Sequence, residues 1–239
     1  MISKARIKYI KSLALKKNRD ADGVFVAEGP KIISDLRGHF ELLEEYTGED
    51  ADKASLLNTP QGALAVFKKP NHHHSSLELP LASLSTPLQL PFLILVLDGV
   101  QNPGNLGTIV RLADWFGIDD IVCSEDCADI YNPKTVQATM GSMARVRVHY
   151  CSLPQFLASL PEGTPVYGTF LDGENIYSTT LSQDGIIVMG NEGHGISADV
   201  AKYVNKRISI PSYPQGAAHG ESLNVAIATA VVCAEFRRR

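Results

Sequence analysis

The feature that most constrains this chain is an alternation that begins at residue 91. Short apolar segments recur: LILVL at 93–97, DIVCS at 120–124, RVRVHY at 145–150, PVYGTFL at 165–171, GIIVMG at 185–190 and RISIP at 207–211. Between them lie stretches with helical spacing. Residues 106–117 place Ile109, Leu112, Ala113 and Phe116 on one side, with Gly117 positioned to end the helix. Further helices are expected around 133–140, at 154–160, and over ESLNVAIATAVVCAEF at 221–236. Strands and helices alternating in this way predict an α/β fold, a parallel sheet with helices on both faces.

The segment before residue 91 has a different character. Residues 3–15 space Ile7, Ile10, Leu13 and Leu15 at helical intervals. Val24–Val26 and GALAVF at 62–67 read as strands, and Pro30 opens a helix carrying Ile32, Ile33 and Leu36. Two domains are therefore expected, 1–75 and 91–239, joined by a linker at 76–90 that holds Ser and Pro and has no clear period. With 239 residues, 44% of them hydrophobic, the chain can supply a core for each. His72, His73 and His74 stand just before the linker; consecutive side chains do not converge on one ion, so a polar loop is expected rather than a metal site.

The net charge of −4 excludes a wholly basic nucleic-acid binder, yet residues 1–19 carry seven Lys or Arg and no acid. Lys4, Arg6, Lys8, Lys11, Lys16, Lys17 and Arg19 are either phosphate contacts or a solvated helix face. Arg237, Arg238 and Arg239 read as a frayed tail or as phosphate contacts. The four cysteines fit neither a disulfide framework nor a zinc module. No apolar run reaches the ~18–20 residues of a membrane span. The expectation is a cytoplasmic protein with no membrane association.

Three loops follow strands of the second domain and have unusual content: NPGNLGTIVR at 102–111, GNEGHGIS at 190–197 and PSYPQGAAHGESLN at 211–224. Ligands of parallel sheets gather at such carboxyl ends. The dinucleotide fingerprint G-x-G-x-x-G fits none of them, and a phosphate loop is absent, which speaks against a nucleotide-dependent oxidoreductase.

Asn105, Gly107 and Arg111 as N-x-G-x-x-x-R, then G-N-E-G-x-G at 190–195, then Ile210-Pro211 followed by S-L-N-V at 222–225, resemble the three ordered motifs of the SpoU (TrmH-like) RNA ribose 2′-O-methyltransferases of the SPOUT superfamily. TFLDG at 169–173 is similar to the family's segment before its second motif. The resemblance covers 91–239. VAEGPKII and GALAVF resemble the small L7Ae/L30e-like substrate-binding domain found in that family. The bridge from Pro211 to Ser222 is longer than the family's, adding Tyr213, Pro214, His219 and Glu221. His219 is either a group titrating near the substrate or an exposed loop residue.

The resemblance implies a trefoil knot in the parallel sheet, a homodimer sharing its active sites, and S-adenosyl-L-methionine as methyl donor. It implies donor contacts at Thr169, Leu171, Gly173, Gly190, Asn191, Gly195, Ile210 and Leu223, with backbone groups of Gly190, Ile210 and Leu223 holding adenine. It implies a structured RNA substrate, ribosomal RNA rather than tRNA, though a tRNA enzyme or a catalytically silent RNA-binding protein of the same fold stays open.

Methyl transfer to a ribose hydroxyl needs in-line alignment and loss of a proton, and no metal. The family casts the equivalent of Arg111 as a general base reaching over from the partner subunit. A guanidinium stays protonated in proteins, so stabilising the emerging alkoxide, or acting with an RNA phosphate, is the easier role. On residue grounds alone, Arg111 is equally a surface arginine paired with Asp114. Asn105 holds the hydroxyl or caps a helix. Glu192 orients Arg111, binds ribose or faces solvent. Ser222 and Asn224 bind ribose or cap the last helix.

Overall fold

A computed structural model describes residues 1–70, 92–214 and 222–238. His72–His74, the linker at 76–90, and His219, Glu221 and Arg239 lie outside the described residues. The chain divides into two compact units. The first gathers residues 1–70, Pro103–Arg111 and Ala128–Arg145; the second gathers residues 92–102, Leu112–Cys127 and the described residues from Val146 onward.

In the first unit, β1 (Val24–Glu28), β2 (Leu42–Thr47) and β3 (Ala63–Lys68) form an antiparallel sheet in the order β1-β3-β2. The central strand β3 is buried throughout save its last residue. β2 alternates half-buried and exposed residues, as an edge strand should. Helices α1 (Lys4–Ser12), α2 (Lys16–Asp22), α3 (Pro30–Leu36) and α4 (Glu49–Ala54) complete the unit's N-terminal part. Ile10, Leu13, Val24, Val26, Leu64 and Val66 share one core with Ala51 and Ala54.

The single helix expected over 3–15 is two helices. Leu13 closes α1 and is fully buried, whereas Leu15 is the exposed residue before α2. Arg19 is also corrected. Only 1% of it is exposed; its guanidinium donates to Leu13 O and Ala14 O, both at 2.8 Å, and to Asp129 Oδ2 at 2.6 Å. It ties α2 to the segment after residue 128 and offers nothing to a phosphate. Arg6 lies over the Tyr9 ring at 4.1 Å and forks onto Glu44, so it too is committed.

The second unit is built on six parallel strands in the order β6-β5-β4-β8-β7-β9. These are β4 (Leu93–Leu97), β5 (Asp120–Cys123), β6 (Arg147–Tyr150), β7 (Val166–Asn175), β8 (Gly185–Met189) and β9 (Lys206–Ser209). β4 and β8 lie side by side at the centre and are buried at every residue. That is why LILVL and GIIVM read as continuous apolar runs rather than alternating ones.

Helix α5 (Pro103–Trp115) begins three residues earlier than its apolar pattern suggests. Proline at its first position costs no hydrogen bond there. The remaining helices are α6 (Pro133–Thr139), α7 (Leu153–Ala158), α8 (Ala198–Ala201) and α9 (Val225–Arg237). α9 packs Phe236 edge-on against Tyr167, with ring centroids 4.9 Å apart. Its final turn is not frayed. Arg237 donates to Phe116 O at 2.8 Å and Gly117 O at 2.9 Å, the carbonyls left open at the end of α5, and Arg238 pairs with the buried Glu235.

A candidate cofactor cleft at the strand ends

Because all six strands run the same way, their carboxyl ends share one edge. The turn after β4, the GNEGHG loop after β8 and the chain after β9 therefore emerge together. Between the last two opens a cleft of about 500 Å³, lined by Thr169, Phe170 and Leu171 from β7, by residues 189–196, by Ser209 and Ile210, and by Ser222, Leu223, Val225 and Ala228.

The loop after β8 is a closed turn. Asn191 N donates to Gly195 O at 3.0 Å and Gly195 N returns to Asn191 O at 2.9 Å. The Asn191 side chain fills the turn, accepting from Gly193 N at 2.8 Å and His194 N at 3.2 Å. Its Nδ2 donates to Gly99 O at 2.7 Å and so anchors the loop to the turn after β4. A side chain at Gly190 would put a Cβ 2.3 Å from the Gly195 carbonyl carbon. Glycine is therefore required where the turn folds back over the strand end.

Beneath the β4 turn, the Cys127 sulfur accepts from Val100 N at 3.2 Å. The neighbouring Cys123 thiol, with Ser124 and backbone N–H groups assisting against burial, lowers the Cys127 thiol to about 7. Asp98 reaches across to the backbone N–H of Ser197 at 2.7 Å, fixing the exit of the glycine loop.

β7 contributes through a bulge. Both Thr169 and Glu174 pair with Ile208 of β9, so residues 170–173 loop off the ladder. This turns TFLDG into a rim, with Phe170 in the wall and Leu171 85% exposed. Arg207 lies 3.5 Å over the Phe170 ring and donates to Asp172 at 2.6 Å, which lowers the Asp172 carboxyl. The sequence gives no periodic signal for a bulge; its signature is only the Gly173 that closes it.

Seven of the eight expected donor contacts line this cleft: Thr169, Leu171, Gly190, Asn191, Gly195, Ile210 and Leu223. Gly173 does not. It sits at the end of the bulge, where its carbonyl accepts from Ser209 Oγ at 2.9 Å. Glu192 and Ser222 line the cleft as well. Asn224 caps α9, accepting from Ala226 N at 3.0 Å and Ile227 N at 3.3 Å, so Ser222 is not the cap.

Asn105 and Arg111 belong to the first unit, on α5. Asn105 is the third residue of that helix and therefore not its cap. Arg111 is exposed and pairs with no carboxylate among the described residues, which removes the Asp114 pairing. The glycine between them has a packing role. A Cβ at Gly107 would lie 2.5 Å from Ala138 Cβ and 2.6 Å from Thr135 O, so only glycine admits α6 this close to α5.

The cleft walls are mainly apolar. Among the described lining residues they hold one carboxylate, Glu192, and no lysine or arginine. The volume suits a nucleoside-sized ligand. A pyrophosphate would find no lysine or arginine among the described lining residues, whereas a sulfonium cation meets a carboxylate and apolar walls. The donor set therefore fits S-adenosylmethionine better than a dinucleotide.

The chain belongs to the SpoU rRNA Methylase family, whose profile matches residues 92–234. An MRM3-like substrate binding domain matches residues 4–48. Over 97% of its length the chain is 29% identical to the 23S rRNA (guanosine(2553)-2′-O)-methyltransferase RlmP of Bacillus subtilis, of which it covers 96%. It superposes on a putative RNA methyltransferase of the TrmH family from Porphyromonas gingivalis with a TM-score of 0.82, 35% identity and coverage of 100% and 99% of the two chains. An AdoMet-bound rRNA methyltransferase from Sinorhizobium meliloti gives 0.84 at 27% identity, covering 100% of this chain and 96% of that one.

Proposed function

We propose that the chain catalyses S-adenosylmethionine-dependent methylation of a ribose 2′-hydroxyl in structured ribosomal RNA, of 23S type. The observation that carries this reading is the cleft: mainly apolar, without lysine or arginine among its described lining residues, and lined by residues of the second and third motifs of the SpoU rRNA Methylase family. A relative spanning nearly the whole chain is named for 23S rRNA, which favours that substrate over tRNA. Asn105, Arg111, Glu192 and Asn224 are all present, which supports an enzyme over a silent binding protein.

When bound, the donor supplies a methyl group on a sulfonium. Thr169, Leu171, Gly190, Asn191, Gly195, Ile210 and Leu223 hold it, Asn191 by fixing the loop and Leu223 by packing on adenine. Arg111, with no carboxylate to neutralise it, stabilises the charge that grows on the 2′-oxygen. Asn105, Glu192 and Ser222 position the ribose, and Asn224 sets the start of α9. Lys4, Lys8, Lys11, Lys16 and Lys17 are exposed and hold RNA phosphates; Arg6 and Arg19 are left out of that set.

The remaining features of the reading rest on family likeness. They are a trefoil knot in the sheet of a 91–239 domain, an L7Ae/L30e-like RNA-binding domain at 1–75 with a linker at 76–90, a homodimer, and a cytoplasmic location. Exposed Trp115, Leu223 and Ile227 on α5 and near the start of α9 support self-association. Among the described residues no helix is long and apolar enough to cross a membrane. Incubation with tritiated donor and rRNA from cells lacking the protein tests the activity, and mapping of 2′-O-methyl sites locates it. Absence of incorporation by the intact protein overturns it.

A further inference from the structure

We infer that Cys127 and Cys123 form a redox modification site: a hydroperoxide oxidises Cys127, Cys123 closes a disulfide with it, and the glycine loop that walls the cleft is loosened. Cys123 ends β5 and Cys127 lies in the turn that follows. Their side chains touch, the Cys123 thiol donating a hydrogen bond to the Cys127 sulfur.

The two thiols are not equivalent. Val100 N donates to the Cys127 sulfur at 3.2 Å, Ser124 Oγ lies 3.3 Å from it, and the Gly99 N–H also faces it. With Cys123 these groups favour a thiolate and hold the Cys127 thiol at about 7. Burial drives the other three thiols upward instead. The thiolate is the form that attacks an oxidant. Access points the same way: Cys127 is 9% exposed and Cys123 is fully buried. Cys127 is therefore oxidised first, and Cys123, already in contact, resolves it.

The chemistry balances with hydrogen peroxide. The Cys127 sulfur takes one oxygen as the O–O bond breaks, giving a sulfenic acid and, after protonation, one water. The Cys123 sulfur then displaces that oxygen as a second water and the S–S bond forms. Two thiols lose two electrons and two protons, and one peroxide becomes two waters.

A disulfide brings the sulfurs to about 2.05 Å, closer than any hydrogen-bonded contact. Cys127 must then leave Val100 N, whose residue is fully buried, and the Leu97 carbonyl to which its thiol donates at 3.3 Å. An unpaired buried N–H is costly, so the turn after β4 shifts. That turn carries the two anchors of the glycine loop: Gly99 O, which accepts from Asn191 Nδ2 at 2.7 Å, and Asp98, which accepts from Ser197 N at 2.7 Å.

The test uses the full-length protein treated with hydrogen peroxide. Remaining thiols are alkylated with iodoacetamide, and the tryptic peptide 112–134, which holds both cysteines but not Cys151, is measured by mass spectrometry. The expected mass lies two hydrogens below that of the reduced peptide, with neither cysteine alkylated, and dithiothreitol reverses it. A peptide alkylated at both positions, or Cys123 joined to Cys151, overturns the site. Cys123→Ser is expected to stop at a sulfenic acid on Cys127 that dimedone captures, and Cys127→Ser to capture none; equal capture by the two defeats the assigned roles. Oxidation is also expected to speed hydrogen exchange at residues 190–197 about fivefold and to leave the amides of β3 unchanged. A crosslinked protein with unchanged exchange in that loop defeats the coupling. Affinity for S-adenosylhomocysteine, read by calorimetry, is expected to fall about tenfold on oxidation, a readout that rests on the function proposed above. If the reduced protein binds none of this ligand, that function fails, while crosslink and exchange still decide the redox site.

Discussion

Arg111 and the cysteines show how far a single side chain's surroundings determine its chemistry. Arg111 stands exposed on α5 with no carboxylate to neutralise it among the described residues. Arg111→Ala is expected to slow methyl transfer about 100-fold or more while donor affinity stays within about twofold. Single-turnover assays and calorimetry measure the two separately. The buried thiols make a prediction about stability. Burial pushes Cys151 up to about 11 and Cys233 up to about 12. A group whose pKa is raised on folding stabilises the fold fully below its unfolded value and loses that contribution as pH climbs through the folded one. The urea midpoint is therefore expected to fall between pH 9 and 11, and to fall less steeply in Cys233→Ala.

At the scale of elements, α5 and α6 meet through a point where no side chain fits. Gly107→Ala forces a methyl against Ala138 and the Thr135 carbonyl and is expected to cost about 1–3 kcal/mol, read from chemical denaturation. The N-x-G-x-x-x-R pattern thus mixes a packing glycine with polar residues of the proposed site, and spacing alone does not separate them. Much of the second unit was legible because its central strands are buried on both faces and announce themselves as apolar runs. β2 and α4 were not, since a short edge strand at 42–47 and a charged six-residue helix bury little and carry weak periodicity. Seven of the eight residues expected from motif likeness to contact the donor line the cleft. The bulge at 170–173 and the Asn191 anchor depend on cross-strand register and were invisible to a linear reading. Arg19 misled because composition counts a cation without knowing that two carbonyls and Asp129 already surround it.

For the whole molecule, the chain's charge is distributed so that an acidic protein presents a local basic face. Replacing Lys4, Lys8, Lys11, Lys16 and Lys17 by alanine is expected to weaken rRNA binding and to flatten its dependence on salt, measured by filter binding between 50 and 200 mM KCl. An Arg19→Met change is not expected to alter that slope. Self-association is checked by sedimentation: Trp115→Glu is expected to shift the proposed dimer toward monomer, because Trp115 is 85% exposed.

The hold of Arg237 on Phe116 and Gly117 has a practical corollary. The last turn of α9 acts as a stopper on the helix that carries the proposed reactive arginine. Carboxypeptidase trimming back past Arg237 would uncork that helix and loosen Arg111 without touching the cleft. Preparations that differ by a few terminal residues would then differ in turnover while binding the donor alike.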